Sequence, residues 1–256
     1  MASLSSYVAS SAVALHDLTA GYGSHAAIHH VTGEFARGSL TAIVGPNGSG
    51  KSTLLKTIAG LLAPMGGRCS TGRQALAYLA QISEMDRGFP ARVRDIVALG
   101  LWQRRGLLGR HRAEDRARVT DALAQVGLEG FESRPLDTLS GGQLQRTLFA
   151  RVLVQDAPLI LLDEPFNAID DKTIRDLTAL IGRWHAEGRT VLTVAHDLAL
   201  VRAHFPHTLL LARGAVAWGP TADVLNEANI ARARSFQEAW DEAAPWCAPN
   251  GAWQAA

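Results

Sequence analysis

The segment GPNGSGKST, residues 45–53, directly follows the apolar run LTAIV and precedes a stretch with helical patterning. Gly45, Gly50, Lys51 and Ser52 fit the pattern G-x-x-x-x-G-K-[ST], which requires a strand before it and a helix after it. Glycines allow successive backbone N–H groups to point inward at phosphate oxygens, and the N-terminus of the following helix adds positive partial charge. The segment, called here the phosphate loop, is therefore predicted to hold the phosphates of a nucleotide. The alternative is a plain glycine-rich turn.

Two side chains of the phosphate loop have predicted roles beyond the backbone cradle. Lys51 is expected to reach the β- and γ-phosphates, and the Ser52 hydroxyl to take one coordination site on Mg²⁺. The residues predicted to contact nucleotide in this loop are Gly45, Pro46, Asn47, Gly48, Ser49, Gly50, Lys51, Ser52 and Thr53.

The apolar run LILLDEP, residues 159–165, ends in two adjacent carboxylates. Asp163 is predicted to hold Mg²⁺, usually through water, and Glu164 to polarise a water molecule aimed at the γ-phosphate. The alternative is that one of the two acids only caps the next turn.

The segment LSGGQ, residues 139–143, opens a helix predicted over 141–155, and we call it the signature loop. Ser140 occupies the N-cap position, and the two glycines allow an anion to approach the backbone. Alone, this pattern also describes a simple cap after a turn.

The secondary structure that positions these segments is indicated by the hydrophobic pattern. Short apolar runs of strand length alternate with helical stretches along the chain. Several runs are apolar on both faces, as buried parallel strands are. This order predicts an α/β fold with right-handed crossovers. A helical insertion without strands is predicted over about 85–155. The predicted strands are 13–18, 40–44, 75–79, 158–163, 190–194 and 208–212, and helices are predicted over 51–62, 141–155 and 171–187.

The overall composition restricts the classes of function. With 25 Lys plus Arg against 24 Asp plus Glu, the net charge of +1 gives no electrostatic argument for nucleic acid, so no nucleic-acid partner is predicted. Cys69 and Cys247 match no metal-ligand spacing and are expected to be inert. No run approaches the roughly 18 apolar residues of a membrane span, and the first residues lack the features of a secretory signal. A soluble chain is expected, with any membrane role exerted through a partner.

The combination of GPNGSGKST, LSGGQ and LILLDEP in this order strongly resembles the ATP-binding cassette (ABC) ATPase family over about residues 13–230. The resemblance implies a P-loop NTPase core with a mostly parallel sheet, an N-terminal antiparallel β subdomain and an inserted helical signature subdomain. The implied domains are an N-terminal extension over 1–12, a core over about 13–84 and 156–230 with the helical subdomain over about 85–155, and a C-terminal tail over 231–256. The last stretch of that tail, EAAPWCAPNGAWQAA, contains prolines and glycine without periodicity and is expected to be loosely held.

The resemblance also implies ATP and Mg²⁺ as ligands, and a homodimer whose two subunits sandwich two ATP molecules. The signature loop, with Ser140, Gly141, Gly142 and Gln143, then faces the nucleotide of the partner subunit, where Ser140 and Gly142 contact the γ-phosphate.

Three further residues match functional positions of the family. Tyr22 stands where an aromatic ring packs against adenine, with a turn tyrosine as the alternative. Gln81 matches the glutamine that reaches Mg²⁺ and the attacking water, and His196 matches the switch histidine that bonds the γ-phosphate and helps to orient Glu164. One departure is Asn167 in FNAID, where the common family form is close to SALD; an altered dimer contact is expected there.

The stretch ISEMDRGFPARVRDIVALG after Gln81 resembles importer subunits for zinc and manganese, and less closely those for iron chelates. It implies integral membrane permease subunits as partners, an extracytoplasmic substrate-binding protein as an indirect partner, and a peripheral position on the cytoplasmic face of a prokaryotic plasma membrane. Ser83, Glu84 and Asp86 are expected to be docking or structural residues, and Phe89 to pack beneath the docking groove. The alternatives are an importer ATPase for an iron chelate or cobalamin, and a soluble ATP-gated assembly factor. Too few residues separate Lys51 from Ser140 for the long coiled coil of chromosome-maintenance relatives.

Two aromatic or imidazole-rich segments have no predicted chemistry. His25, His29 and His30 in HAAIHHV are interpreted as a loop leading into an edge strand whose polar positions face solvent, and not as a metal site. The tryptophans Trp240, Trp246 and Trp253 mark either a docking tail or residues that pack back on the domain.

Overall fold

The computed structural model describes three stretches of the chain, residues 11–82, 88–102 and 112–238. Residues 1–10 of the predicted N-terminal extension and residues 239–256 of the predicted tail lie outside them. The predicted docking residues Ser83, Glu84 and Asp86 and the tryptophans Trp240, Trp246 and Trp253 also lie outside the described residues.

The contacts within the chain define two compact units. Unit 1 consists of Met1–Gln74 together with Thr190–Ala256, and unit 2 consists of Ala75–Arg189.

Strands and helices alternate along most of the described chain, as the α/β prediction requires. The strands are β1 (Ser11–Tyr22), β2 (His25–Ala36), β3 (Leu40–Val44), β4 (Gly66–Ser70), β5 (Leu76–Leu79), β6 (Leu159–Leu162), β7 (Thr190–Val194), β8 (His207–Ala212) and β9 (Gly214–Pro220). The helices are α1 (Lys51–Ile58), α2 (Val93–Ala98), α3 (Ala113–Gln125), α4 (Gly141–Gln155), α5 (Asp171–Ala186), α6 (Leu198–His204), α7 (Thr221–Val224) and α8 (Glu227–Glu238).

Unit 1 contains an antiparallel sheet of three strands in the order β2-β1-β4. β1 and β2 form a hairpin joined by Gly23 and Ser24, a two-residue connection that suits the twist of antiparallel strands. Buried side chains such as Leu15 and Leu18 of β1 give this sheet one face in the hydrophobic core. The sheet is the antiparallel β subdomain that the family resemblance implies.

A second group of strands in unit 1 carries the phosphate loop. β3 pairs in parallel with both β7 and β8, and β9 pairs antiparallel with β8. Every residue of β3 and β7 is buried, which explains why both strands are continuous apolar runs in the sequence. α1 ends at Ile58 rather than at the predicted residue 62, because Gly60 and Pro64 follow and both terminate helices.

Unit 2 contains the parallel pair β5 and β6 with helices α2 to α5. Between β5 and α4, the described residues of the predicted insertion form α2, α3 and two short 3₁₀ turns. The rings of Phe149 in α4 and Trp184 in α5 stack with their centroids 5.7 Å apart, and both side chains are almost completely buried. This aromatic pair fixes α4, the helix that begins at the signature loop, against α5.

The sequence predictions omitted two strands, β4 and β9, because GGRCS contains no apolar run and GAVAWGP contains one of only four residues. The prediction for HAAIHHV is a loop leading into an edge strand. The edge strand is present as β2, but it already begins at His25, so the loop part is wrong and His25, His29 and His30 belong to the strand itself. His29 is also half-buried rather than solvent-facing. Its burial, followed by the nearby charge of Arg213, lowers the pKa of the His29 imidazole.

Within residues 11–82, 88–102 and 112–238, no helix has both the length and the apolar composition needed to cross a bilayer.

The aromatic pair of unit 2 generates a stability prediction. Phe149→Ala removes a fully buried ring and leaves a cavity beside Trp184, so we expect the free energy of unfolding to fall by about 3–5 kcal/mol. Phe89→Ala is the matched control, because that ring is 61% exposed and its removal should change stability by less than about 0.5 kcal/mol. Urea denaturation followed by circular dichroism measures both. Equal losses for the two variants would contradict the packing described here.

Candidate functional site

The phosphate loop of unit 1 folds around the ammonium group of Lys51. This side chain is only 5% exposed, and its Nζ donates to the carbonyl oxygens of Gly45 at 3.0 Å and Pro46 at 2.8 Å. The Ser49 hydroxyl lies at 3.5 Å from the same nitrogen. A buried charge needs such acceptors, and the carbonyls therefore hold Lys51 in place at the start of α1.

Two glycines make this close-packed loop sterically feasible. A Cβ on Gly45, whose φ is 154°, would lie 1.9 Å from the carbonyl oxygen of Leu211 in β8. A Cβ on Gly50, whose φ is 91°, would lie 2.2 Å from Cγ2 of Ile28. Any larger residue at either position would push the loop away from the strands behind it.

The remaining loop residues occupy the positions that the motif implies. Ser52 is half-buried in the first turn of α1, Thr53 is buried beside it, and Asn47 and Gly48 are exposed at the tip of the loop. Tyr22, the residue predicted to contact adenine, ends β1 with 54% of its surface exposed. Its ring is therefore accessible to a planar ligand.

His196 lies next to the phosphate loop. It follows β7, and the backbone N–H of Ala195 before it donates to the carbonyl of Ile43 in β3 at 3.2 Å. His196, Gly45 and Pro46 line a common cavity of about 200 Å³ in unit 1. The structure thus brings the predicted switch histidine to the predicted phosphate site.

In unit 2, Asp163 follows β6 with 1% of its surface exposed. The Tyr78 hydroxyl donates to its Oδ2 at 3.3 Å, and its backbone N–H donates to the carbonyl of Leu79 at 2.9 Å. The Arg151 guanidinium donates to the backbone carbonyl of Tyr78 at 2.9 Å, and burial lowers the pKa of this arginine. β5 and α4 therefore both contribute to the position of the Asp163 carboxylate.

Glu164 lies one residue further on and accepts two side-chain amide hydrogen bonds on one oxygen. Gln81 Nε2 and Asn167 Nδ2 each donate to Glu164 Oε2 at 2.5 Å. Glu164 has a φ of 50°, which is uncommon for a residue with a side chain. The structure brings the predicted pair Gln81 and Glu164 together and adds Asn167, which the sequence predictions had placed only at a dimer contact.

The signature loop also lies in unit 2 and begins α4 with the predicted cap. The Ser140 hydroxyl accepts from the backbone N–H of Gln143 at 3.2 Å, and the Gln143 side chain accepts from the Ser140 N–H at 3.1 Å. This reciprocal pair is a capping box. It fixes the direction in which the N-terminus of α4 presents its free N–H groups.

The two glycines of the signature loop pack on the segment that follows Glu164. A Cβ on Gly141 would lie 3.2 Å from the Ala168 carbonyl oxygen, and one on Gly142 would lie 3.1 Å from both Asp170 Oδ2 and Thr173 Oγ1. Asp170 itself caps α5. A hydrogen bond from the Thr173 backbone N–H, followed in size by one from its hydroxyl, holds the pKa of the Asp170 carboxyl below its usual value.

Tyr78, Arg151 and Asn167 are the residues around the acids that the sequence predictions missed. A signal existed only for Asn167, which departs from the common SALD form. Tyr78 and Arg151 act through contacts between β5, α4 and the end of β6, which motif spacing does not encode.

Within the described stretches, no group of three or more His, Cys, Asp or Glu side chains has an arrangement that could hold a metal ion. Burial raises the pKa of the Cys69 thiol to about 11, so this cysteine carries almost no reactive thiolate at neutral pH. Cys247 lies outside the described residues.

The chain also matches a family of known proteins over the segment that contains most of the site residues. The sequence model of the ABC transporter family matches residues 28–167, which include the phosphate loop, the signature loop and both acids. The chain belongs to the ABC transporter family. This membership confirms the predicted family and the predicted class, an ABC-type ATPase.

Two curated ABC relatives align along most of their length. The manganese transport system ATP-binding protein MntB of Listeria monocytogenes is 40% identical over 223 residues, which cover 84% of this chain and 93% of the relative. The zinc transport system ATP-binding protein TroB of Treponema pallidum is 38% identical over 229 residues, which cover 87% and 86%.

Solved ABC structures have the same fold. An ABC transporter assigned to the metal-chelate type, in an inward-facing conformation, superposes with a TM-score of 0.79 at 27% identity, covering 88% of this chain and 89% of that one. A dimeric ATP-binding cassette, MJ0796, in a post-hydrolysis state bound to ADP and Pi, superposes with a TM-score of 0.71 at 25% identity, covering 82% and 98%. The predicted α/β fold is confirmed.

The phosphate loop of this ABC protein generates a second prediction. In Gly45→Ala the added Cβ overlaps the rigid Leu211 carbonyl, so we expect the chain to lose binding of a fluorescent ATP analogue at concentrations that saturate the wild type. Gly182→Ala is the matched control, because its added Cβ meets no atom within 4 Å on α5, and alanine should stabilise that helix by about 0.5–1 kcal/mol. Unchanged nucleotide affinity in Gly45→Ala would show that the loop tolerates displacement from β8.

Proposed function

We propose that the chain is the ATP-hydrolysing subunit of an ABC importer for a divalent metal ion, manganese or zinc. The observation that best supports hydrolysis is the environment of the Glu164 carboxylate. Two side-chain amides donate hydrogen bonds to it, and it directly follows the buried Asp163 in the sequence. The proposed metal cargo is based on two relatives, one named for manganese transport and the other for zinc transport. The two are similar to this chain to almost the same degree. The cargo itself does not bind this subunit in the proposed mechanism.

The phosphate loop supplies the proposed ATP-binding groups. The backbone N–H groups between Gly45 and Thr53 would cradle the phosphates, and Lys51 would neutralise the β- and γ-phosphates. In the structure, the Lys51 ammonium donates to two carbonyls of its own loop, which keep it at the start of α1 beside the proposed phosphate site. Tyr22 would stack on adenine with its exposed ring.

The donor set proposed for Mg²⁺ consists of oxygen atoms, the ligands that this ion prefers. They are the Ser52 hydroxyl, the Asp163 carboxylate and the Gln81 amide oxygen. Gln81 uses its nitrogen to donate to Glu164, which leaves its oxygen as the atom suited to a cation. Bound Mg²⁺ would neutralise charge that develops on the phosphate oxygens.

Glu164 is the proposed general base. Its carboxylate would take a proton from the water that attacks the γ-phosphorus, while the bond from that phosphorus to the β–γ bridging oxygen breaks and ADP leaves. His196 would donate a hydrogen bond to the γ-phosphate. Its place in the cavity beside Gly45 and Pro46 supports this role.

The proposed active form is a homodimer. Ser140 and Gly142 would contact the γ-phosphate bound by the partner subunit, through the free N–H groups at the start of α4. The capping box at Ser140 supports this role because it fixes that helix start. The related cassette bound to ADP and Pi is itself dimeric. ATP would close the dimer, and hydrolysis would reopen it.

Permease subunits in the membrane are the proposed partners, with a substrate-binding protein acting outside and this chain on the cytoplasmic face. Phe89, Leu99 and Trp102 of unit 2 are each more than half exposed, and such apolar side chains favour a protein interface. Phe89 is therefore a surface residue, and its predicted place beneath the docking groove is wrong.

One alternative cargo has a specific observation in its favour. The related transporter of known structure assigned to the metal-chelate type supports a chelated metal rather than a free ion. The mechanism proposed for the ATPase is the same for both cargoes.

Removing the proposed base tests the hydrolysis mechanism. Glu164→Gln keeps the size of the side chain but cannot accept a proton, so turnover should fall by about 10²–10⁴-fold, while ATP still binds and closes the dimer. Phosphate release measures turnover, and light scattering with and without ATP measures dimerisation. Glu129→Gln, at an exposed position after α3, is the matched control and should hydrolyse ATP like the wild type. Turnover in Glu164→Gln within threefold of wild type would exclude Glu164 as the base.

The cargo is tested in cells that lack the gene and grow in metal-limited medium. We expect a fall in cellular manganese or zinc that the wild type and Glu129→Gln restore and Glu164→Gln does not, because import requires hydrolysis. Mass spectrometry of manganese, zinc and iron measures the result. A fall in iron alone would favour the chelate alternative. Unchanged contents of all three metals, with other importers also disabled, would contradict the metal proposal.

A further inference from the structure

Asn167 lies three residues after Glu164, in a turn that reverses the chain behind β6. The backbone N–H of Asn167 donates to the Glu164 carbonyl at 3.3 Å, and Glu164 has a left-handed φ of 50°. This geometry returns the Asn167 side chain to the Glu164 carboxylate, where Nδ2 donates to Oε2 at 2.5 Å. Backbone and side chain of the same residue therefore both bond to Glu164.

We propose that Asn167 is a positioning residue for hydrolysis, which together with Gln81 holds the Glu164 carboxylate in one orientation. Two donors on a single oxygen fix the carboxylate plane more firmly than one donor does, because rotation about the last side-chain bond breaks both hydrogen bonds. A base held in this way does not lose orientational freedom when it takes its proton.

The two amides have different proposed duties. Gln81 is also a proposed Mg²⁺ ligand, so its amide is shared between the metal and the carboxylate. Asn167 has no proposed role as a metal ligand, and its Nδ2 donates to the Glu164 carboxylate. It would therefore orient the carboxylate without also serving the metal ion.

The residue type at 167 matters because of its length. In the common SALD form a hydroxyl side chain stands at this position, and its donor atom is one bond closer to the backbone, a difference of roughly 1.3 Å. A serine in the same turn would leave its oxygen short of Glu164 Oε2. The departure of FNAID from the common form thus gives the carboxylate a second amide.

The turn itself is held by the signature loop. The Ala168 carbonyl oxygen packs on Gly141, and the Asp170 carboxylate packs on Gly142 while it caps α5. These contacts fix the residues directly after Asn167. The side chain of Asn167 is exposed, so its replacement removes a hydrogen bond without opening a core cavity.

The inference rests on the proposed role of Glu164 as the base, and the test separates the two. The full-length chain carries Asn167→Leu, which keeps the side-chain size and removes the donor, or Asn167→Asp, which replaces the donor with a second carboxylate. We expect kcat for ATP hydrolysis to fall about 10- to 100-fold in Asn167→Leu and further in Asn167→Asp, with the KM for ATP within twofold of wild type.

Dimerisation distinguishes positioning from a contact between subunits. In the Glu164→Gln background, Asn167→Leu should leave ATP-driven dimerisation unchanged, because the proposed partner of Asn167 is within its own chain. Asn226→Leu is the matched control: Asn226 caps α8 through hydrogen bonds to Asn229 and Asp223, so this variant should lose stability but keep kcat. Melting temperatures of the Asn167 variants should remain within about 2 °C of wild type.

Three results would overturn the inference. An unchanged kcat in Asn167→Leu, while Glu164→Gln is inactive, would refute the positioning role of Asn167 and leave Glu164 as the proposed base. A parallel loss of ATP affinity or dimerisation would make Asn167 a binding or subunit contact. Wild-type turnover in Glu164→Gln would refute the proposed base and this inference together.

Discussion

The hydrogen bonds from the Lys51 ammonium to the carbonyls of Gly45 and Pro46 are the interaction on which unit 1 depends. A buried ammonium group is costly unless acceptors surround it, and here the phosphate loop provides them from its own backbone. The loop can do so only because Gly45 approaches the Leu211 carbonyl closely. β8 therefore determines the shape of a loop that is more than 150 residues distant in the sequence.

In unit 2 the charged groups that need hydrogen-bond partners are negative rather than positive. Asp163 and Glu164 are adjacent carboxylates, and neighbouring side chains hold each in a different way. A tyrosine hydroxyl bonds to the buried Asp163, whereas two amides bond to the half-buried Glu164. Neutral donors stabilise a carboxylate without adding a cation that would compete with a metal ion or a proton for the same oxygen atoms. In the proposed mechanism, two carboxylates can in this way serve different purposes, Asp163 metal binding and Glu164 proton transfer.

The elements that the sequence predicted best are those whose local pattern and tertiary environment agree. β3 and β7 lie at the predicted bounds because strands buried on both faces are continuous apolar runs. α4 lies at its predicted bounds because Ser140 marks its start. β4 was missed because GGRCS contains no apolar run, and its pairing with β1 alone makes it a strand.

The motif residues were similarly predictable, and their partners were not. Spacing placed Lys51, Ser140, Asp163 and Glu164 on the correct turns because each motif is a local structure. The bonds from Gln81 and Asn167 to Glu164 depend on side-chain directions set by a left-handed backbone at Glu164, which no residue propensity encodes.

The packing of Gly142 against Asp170 and Thr173 has a consequence for genetics. A side chain at this position would crowd both oxygens at 3.1 Å and so disturb the cap of α5. A deep mutational scan that finds Gly142 intolerant would therefore not by itself show that this residue contacts nucleotide. Loss of the α5 cap would produce the same result as loss of the proposed phosphate contact, and only a separate measurement of stability distinguishes the two.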